Sequence, residues 1–250
     1  MTDVQSLSRR ADELEHRQMQ ELGDRIVTKS LLFQLADGDR SLSFGQGTGK
    51  HLLMGEDPRL PAMPEKPTLL DFFKYRFSVG PQQHLLQSAN LAQKNGLTEK
   101  MVLACLLHDI AVTGFIRSDH GYWGAQLIEP YVDEEVSWAI RYHQCLRFYP
   151  DESVGYPYPD NYVRMFGADY VPDPYIQADY ERTKKHKWYM SARMICVNDL
   201  YSFDPDVVVT WQQFEDIIGR HFKQPKEGLG NDNTPSSHMW RTIVRPCNAL

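Results

Sequence analysis

The stretch Met101-Val-Leu-Ala-Cys-Leu-Leu-His-Asp109 decides how this chain is read. Val102, Leu103, Leu106, Leu107 and Ile110 recur at helical spacing and make a broad apolar face, the mark of a helix buried in a bundle. Thr98-Glu99 supplies an N-cap and an acidic first turn, and Val112-Thr-Gly114 stops the helix. Neighbouring side chains on an α-helix diverge by about 100°. His108 and Asp109 can therefore serve one polyhedron only near a helix end, where the backbone bends, and that is where they stand.

Further donors surround this pair. His84 lies 24 residues upstream of His108, on a helix that Pro81 opens and Gly96 closes. The two helices form an antiparallel hairpin. His120 heads a shorter helix over about residues 120–130. His143 sits near the end of a helix capped at Asp133 and running to about Phe148. Asp199 lies late on one long helix expected over about 175–203, and a last helix spans about 210–223. Residues 149–174, rich in Pro, Gly, Tyr and Asp, read as a loop with one helical turn at 161–166. The expected fold class is all-α. A single His on an apolar helix is ordinarily a packed core residue. Four in order, one followed by Asp, with a distant second Asp, make a ligand set. Each donor comes from a different helix or turn, which is how bundle metal sites are built. The six donors His84, His108, Asp109, His120, His143 and Asp199 suffice for two ions, and Asp109 can bridge them. Mixed imidazole and carboxylate sets suit first-row divalent cations.

The remaining features narrow the class. The chain has 250 residues and a net charge of −6, with a pI near 5.8. That balance argues against nucleic-acid or anionic-membrane partners. No apolar run reaches the 18 residues of a membrane span, and the first ten residues lack the apolar middle of a secretory signal. Cys105, Cys145, Cys196 and Cys247 form no Cys-x-x-Cys pair and read as reduced, which fits the cytoplasm. Residues 1–68 are expected to form an N-terminal helix (3–28) and a loop arm (36–67) packed on the core. Residues 69–225 form the metal-binding helical domain, and 226–250 a loosely wrapped tail. Gly45-Gln-Gly-Thr-Gly-Lys50 lacks the spacing of a phosphate loop, because His51 follows Lys50.

The six donors together resemble the full ligand set of the HD-domain superfamily, over roughly residues 80–205. Most of its members are phosphohydrolases. A smaller branch is similar to myo-inositol oxygenase and the phosphonate-cleaving oxygenases, which use a mixed Fe2+/Fe3+ pair to activate O2. The donor spacing and the helix carrying Ala192-Arg193 and Asn198-Asp199 resemble that branch, although Asn198 stands where it has an Asp. The resemblance implies a diiron oxygenase acting on a small polar, anionic substrate with O2. It implies two iron ions, and a homodimer is compatible with it. The alternative is a phosphohydrolase of nucleotides or phosphate esters using Mn2+ or another divalent metal. A module without catalysis would be expected to lack a ligand, and none is missing. One departure affects both branches: Val112 stands where a Lys or His is usual. An anionic substrate then needs another partner. Arg147, four residues after His143, is the first candidate, with Lys184 and His186 in a second basic cluster. Tyr75 resembles a lid tyrosine of the oxygenases and joins Asp109 as a catalytic candidate.

Overall fold

The computed structural model describes residues 60–114 and 119–244, with Leu14 and Arg17 besides. The helix expected over 3–28, most of the loop arm, the Gly45–Lys50 segment and Cys247 lie outside the described residues. The described residues are helical and contain no strand, apart from one bridge between Asp151 and Tyr156. The described residues thus form an all-α bundle, the fold class expected from the sequence. No described helix is long and apolar enough to cross a membrane.

Helix α1 (Leu69–Tyr75) starts at a reciprocal capping box: the Thr68 hydroxyl accepts from the Asp71 amide and the Asp71 carboxylate accepts from the Thr68 amide. Helix α2 (Val79–Lys94) ends before Gly96, whose φ of +70° only glycine adopts without strain. The Leu97 amide folds back onto the Ala92 carbonyl at 3.0 Å. Helix α3 (Glu99–Leu107) is buried from Met101 onward. Leu103, Leu106 and Leu107 are fully enclosed, and burial of each such side chain stabilises the fold by about 1.5–3 kcal/mol. The turn at His108-Asp109 leads into α4 (Ile110–Gly114), then α5 (His120–Ile128) and α6 (Glu134–Leu146). Helix α6 is the central post: α3, α5, α8 (Pro174–Thr183) and α9 (Tyr189–Leu200) all pack on it. The short α7 (Asp160–Phe166) lies between α6 and α8 in sequence, and α10 (Glu215–His221) rests on α3.

Three expectations need correction. The helix through His108 breaks at His108-Asp109 itself rather than at 112–114, and α4 restarts one residue later. The single helix expected over 175–203 is two, interrupted at Lys184–Trp188. There the His186 ring accepts from the Trp188 amide at 3.2 Å and stacks on Trp138 at 4.0 Å, so a side chain takes the place of a helical carbonyl. The segment after Gln224 does not wrap loosely. Gly228, at φ +90°, crosses so close to Lys66 that a Cβ would lie 2.5 Å from its Cα. The Leu229 amide bonds to Pro67, and α11 (Ser237–Val244) buries Trp240 completely. The Trp240 ring meets Phe72 edge-on at 4.6 Å and its Nε1 donates to Leu127 O at 2.9 Å.

Candidate metal centre

The break at His108-Asp109 removes the 100° divergence of an unbroken helix and lets both side chains face the same space. His84 enters that space from α2, His120 from the first position of α5, His143 from the last turn of α6 and Asp199 from the penultimate position of α9. All six sequence-predicted donors converge. His84 Nε2 lies 3.0 Å from Asp199 Oδ1 and 3.6 Å from Asp109 Oδ2. His108 Nε2 lies 3.6 Å from Asp109 Oδ1 and 3.7 Å from Asp199 Oδ1. On the far side, Asp109 Oδ1 is 3.0 Å from His120 Nε2 and 3.5 Å from His143 Nε2. Asp109 Oδ2 thus faces His84, while Oδ1 lies among His108, His120 and His143.

Two trios gather donor atoms within 4.8 Å of one another: His84, His108 and Asp199, and His108, Asp109 and His143. Donors about 2.1 Å from a shared cation lie about 3.0–3.4 Å apart, close to the separations seen.

The hydrogen bonds behind the rings decide their tautomers. His108 Nδ1 faces the Cys105 carbonyl at 2.7 Å and His143 Nδ1 the Ile140 carbonyl at 2.5 Å. A carbonyl only accepts, so both Nδ1 atoms carry the hydrogen. The Ser202 hydroxyl donates to the Asp199 carbonyl at 2.6 Å and accepts from His84 Nδ1 at 2.7 Å. These partners orient the rings and leave each Nε2 lone pair inward. His84 and His108 then point Nε2 at Nε2 across 3.2 Å, and His120 and His143 do so across 3.3 Å. For His84 and His108, two lone pairs at that distance repel unless a cation lies between them. Asp109 Oδ1 is likewise buried with no hydrogen bond, although imidazole nitrogens surround it. The residues present fit a metal.

The electrostatics agree. Burial would raise the Asp109 and Asp199 carboxyls, but the facing imidazoles outweigh it and hold both well below the usual carboxylate range. Burial would lower the His84 imidazole, yet the bonds to Asp109 and Asp199 push it up to about 10. The two carboxylates therefore demand positive charge at that point, supplied by a proton or by a metal. His143 goes the other way: burial, with the neighbouring His108 and His120 charges, brings it down to about 4, so it stays neutral and able to ligate.

The second tier of sequence candidates divides. Arg147, at the end of α6, comes to the cluster: its Nη1 lies 3.4 Å from His120 Nε2. Its Nε donates to the Tyr162 hydroxyl at 2.5 Å and the guanidinium lies 4.9 Å over the Tyr162 ring. Lys184 and His186 do not come to it. Lys184 pairs with Glu181, and His186 is stacked on Trp138. Tyr75 also stays apart, its ring contacting Lys74 at 4.8 Å. Arg193 is fully buried away from the donors. It donates to Leu146 O at 3.0 Å and to Tyr189 Oη at 3.2 Å, with Asp151 at 3.8 Å, and so anchors the chain that carries Arg147.

Sequence reasoning missed Ser202 and Phe203. Phe203 stacks on the His84 ring at 4.3 Å. No spacing announces these two, but both follow Asp199 within about one turn, a signal that was there to use. Asp119, just before His120, has a left-handed backbone (φ 48°), a conformation that costs about 1 kcal/mol or more outside glycine. The Tyr175 hydroxyl, donating to Asp119 Oδ1 at 2.9 Å, helps to hold it.

A helical bundle with a buried cluster of imidazoles and carboxylates, split into two trios with one His in common, defines a metal-binding helical domain. Residues 82–164 match the HD domain family. The matched span, about a third of the chain, holds five of the six donors, all but Asp199. Over 80 residues the chain is 29% identical to a 1-hydroxy-2-(trimethylamino)ethyl phosphonate dioxygenase (glycine-betaine-forming) of Leisingera caerulea. That alignment covers 27% of this chain and 39% of the relative's length.

Proposed function

We propose that this protein is a dinuclear iron oxygenase that oxidises a C–H bond of a small anionic substrate with O2, by hydroxylation or by C–C or C–P cleavage. The observation that carries the reading is the disposition of Asp109, with Oδ2 toward His84 and Oδ1 toward His120 and His143. With donors of both trios around it, Asp109 would be shared between the two half-sites. The resemblance to a phosphonate dioxygenase supports oxygenation over hydrolysis and makes phosphonates the first substrates to try.

His84, His108, His120, His143, Asp109 and Asp199 would hold the ions. An Fe2+/Fe3+ pair would supply the one-electron chemistry that activates O2. The protein's own share is positional. Ser202 and the Cys105 and Ile140 carbonyls keep the Nε2 atoms inward. Arg147, kept fully charged beside Tyr162, Asp199 and Asp109 despite the opposing effect of burial, binds the substrate's oxyanion from the His120 side. The Tyr162 hydroxyl takes Arg147 Nε and leaves the Nη atoms for that anion. The proposal includes a small-molecule substrate and O2 as partners, neither nucleic acid nor membrane, a homodimer, and a cytoplasmic setting.

Metal analysis, EPR and an oxygen electrode test it together. The expected result is about two irons per chain, a mixed-valent signal after partial reduction, and O2 uptake that depends on an added hydroxyalkyl phosphonate. Release of phosphate from simple esters with Mn2+ under nitrogen, with no O2 uptake, would replace it with the phosphohydrolase reading.

A further inference from the structure

A cavity of about 440 Å³ opens onto the centre from the His84 side. His84 and Asp109 form its floor, and Gly80, Pro81, Val112 and Phe203 are among its walls. Phe203 is 67% exposed although it is stacked on a buried imidazole, tilted only 17° from it. A single exposed aromatic is ordinary on a protein surface, but this one also lines the cavity that reaches the centre.

The wall is firmly built. Gln87 Nε2 donates to the carbonyls of Asp204 and Val207 at 2.8 and 2.7 Å, and its Oε1 accepts from the Asp204 amide at 2.9 Å. One turn earlier, Gln83 Nε2 donates to Val209 O at 2.9 Å and Oε1 accepts from the Val209 amide at 3.2 Å. Two glutamines flanking His84 on α2 thus clamp residues 204–209, next to Phe203, to the helix that carries a donor. Gly80, on the opposite wall, has open space around it: a Cβ there would meet nothing within 4 Å. Val112 adds a third apolar wall, and at the rim the Asp204 carboxylate accepts from the Asp206 amide at 2.9 Å.

Holding a cation requires none of this. We propose that the cavity is an apolar subsite, which takes the hydrocarbon end of a short-chain anionic ligand whose oxyanion lies at the His/Asp centre. Phe203 and Gly80 set how much chain fits. The assignment builds on the metal-centre reading but concerns different atoms.

Calorimetric titration with methyl-, ethyl- and propylphosphonate tests it, with metal content measured on the same sample. Each buried methylene contributes about 0.8 kcal/mol, or about fourfold in Kd, so propylphosphonate binds about 15-fold more tightly than methylphosphonate. Gly80→Trp, at a position where an added Cβ meets nothing within 4 Å, narrows the cavity and flattens the series. Phe203→Ala removes one wall and lowers the increment to about twofold per methylene. No binding, a flat series on the unaltered protein, or an undiminished increment in Gly80→Trp overturns the subsite. A metal-free protein that still shows the increment refutes the metal centre and leaves the subsite standing.

Discussion

Gly121→Ala is the sharpest test of how the bundle sets the centre. Helix α5 approaches α6 at Gly121, where an added Cβ would lie 2.9 Å from Ile140 O, 3.1 Å from Arg141 O and 3.2 Å from Gln144 Cβ. Two of these are backbone atoms and cannot rotate aside, so the helices must part. Overpacking of this kind costs about 1–3 kcal/mol, and the higher helical preference of alanine offsets about 1 kcal/mol of it. The closest contact falls below any ordinary Cβ separation, so the net loss is about 1–2 kcal/mol, or about 2–8 °C in Tm for a domain of this size. The shift acts directly on His120, the preceding residue, whose Nε2 sits 3.0 Å from Asp109. Weaker metal retention should accompany it. Gly219→Ala in α10 is the matched control. It also lies within a helix, but its Cβ would meet nothing within 4 Å, so it should raise Tm slightly. Thermal melts of both variants, with metal content before and after dialysis, give the answer. A Gly121→Ala protein that melts at or above the unaltered one, while Gly219→Ala behaves as stated, would refute the close-approach argument.

Asp109→Ala should empty both halves of the centre rather than one, measured as metal per chain; retention of one full equivalent would show that Asp109 does not bridge. Arg147→Ala should raise KM for a phosphonate about 10- to 100-fold, the worth of a hydrogen bond to a charged group, with metal content unchanged; unaltered kinetics would remove Arg147 from the substrate site. Burial pushes the Cys105 and Cys145 thiols up to about 12, so native-state alkylation at pH 8 should be slow. Because the thiolate is the reacting form, the rate should climb about tenfold per pH unit toward that value; peptide mapping that finds these two thiols modified within minutes at pH 8 would contradict it. Trp240→Ala should cost about 3–5 kcal/mol in urea unfolding; a loss below about 1 kcal/mol would show that α11 is dispensable to the core.

Much of the centre was legible because its signals are local. An apolar helical face running into His-Asp, a glycine stop at Gly96 and a cap position at Thr98 each depend on a few neighbouring residues. They located α2 and the start of α3 to within two or three residues, while the end of α3 fell short of the expected stop at 112–114. The interruption at Lys184–Trp188 was not legible, because it depends on His186 finding Trp138 on another helix. The same contact turns the His186 ring onto Trp138, although its place in a charge run invited a substrate role. The C-terminal segment misled for a related reason. Its Pro/Gly composition describes a loop, whereas the anchor is one residue, Trp240, whose pocket is built by Phe72, Tyr131 and Leu127 far away in the chain.

The chain's linear order determined the helical class and the identity of the six donors, since periodicity and residue type are properties of short stretches. Only the folded chain decided that His84 and Asp199 meet at 3.0 Å, that Asp109 lies among all four imidazoles, and that Arg147 faces His120 while Tyr75 does not. The physical reason is that ligation and recognition depend on separations of a few tenths of an ångström across helices. The packing of α6 against α3, α5 and α9 fixes those separations, and no single stretch of sequence contains them.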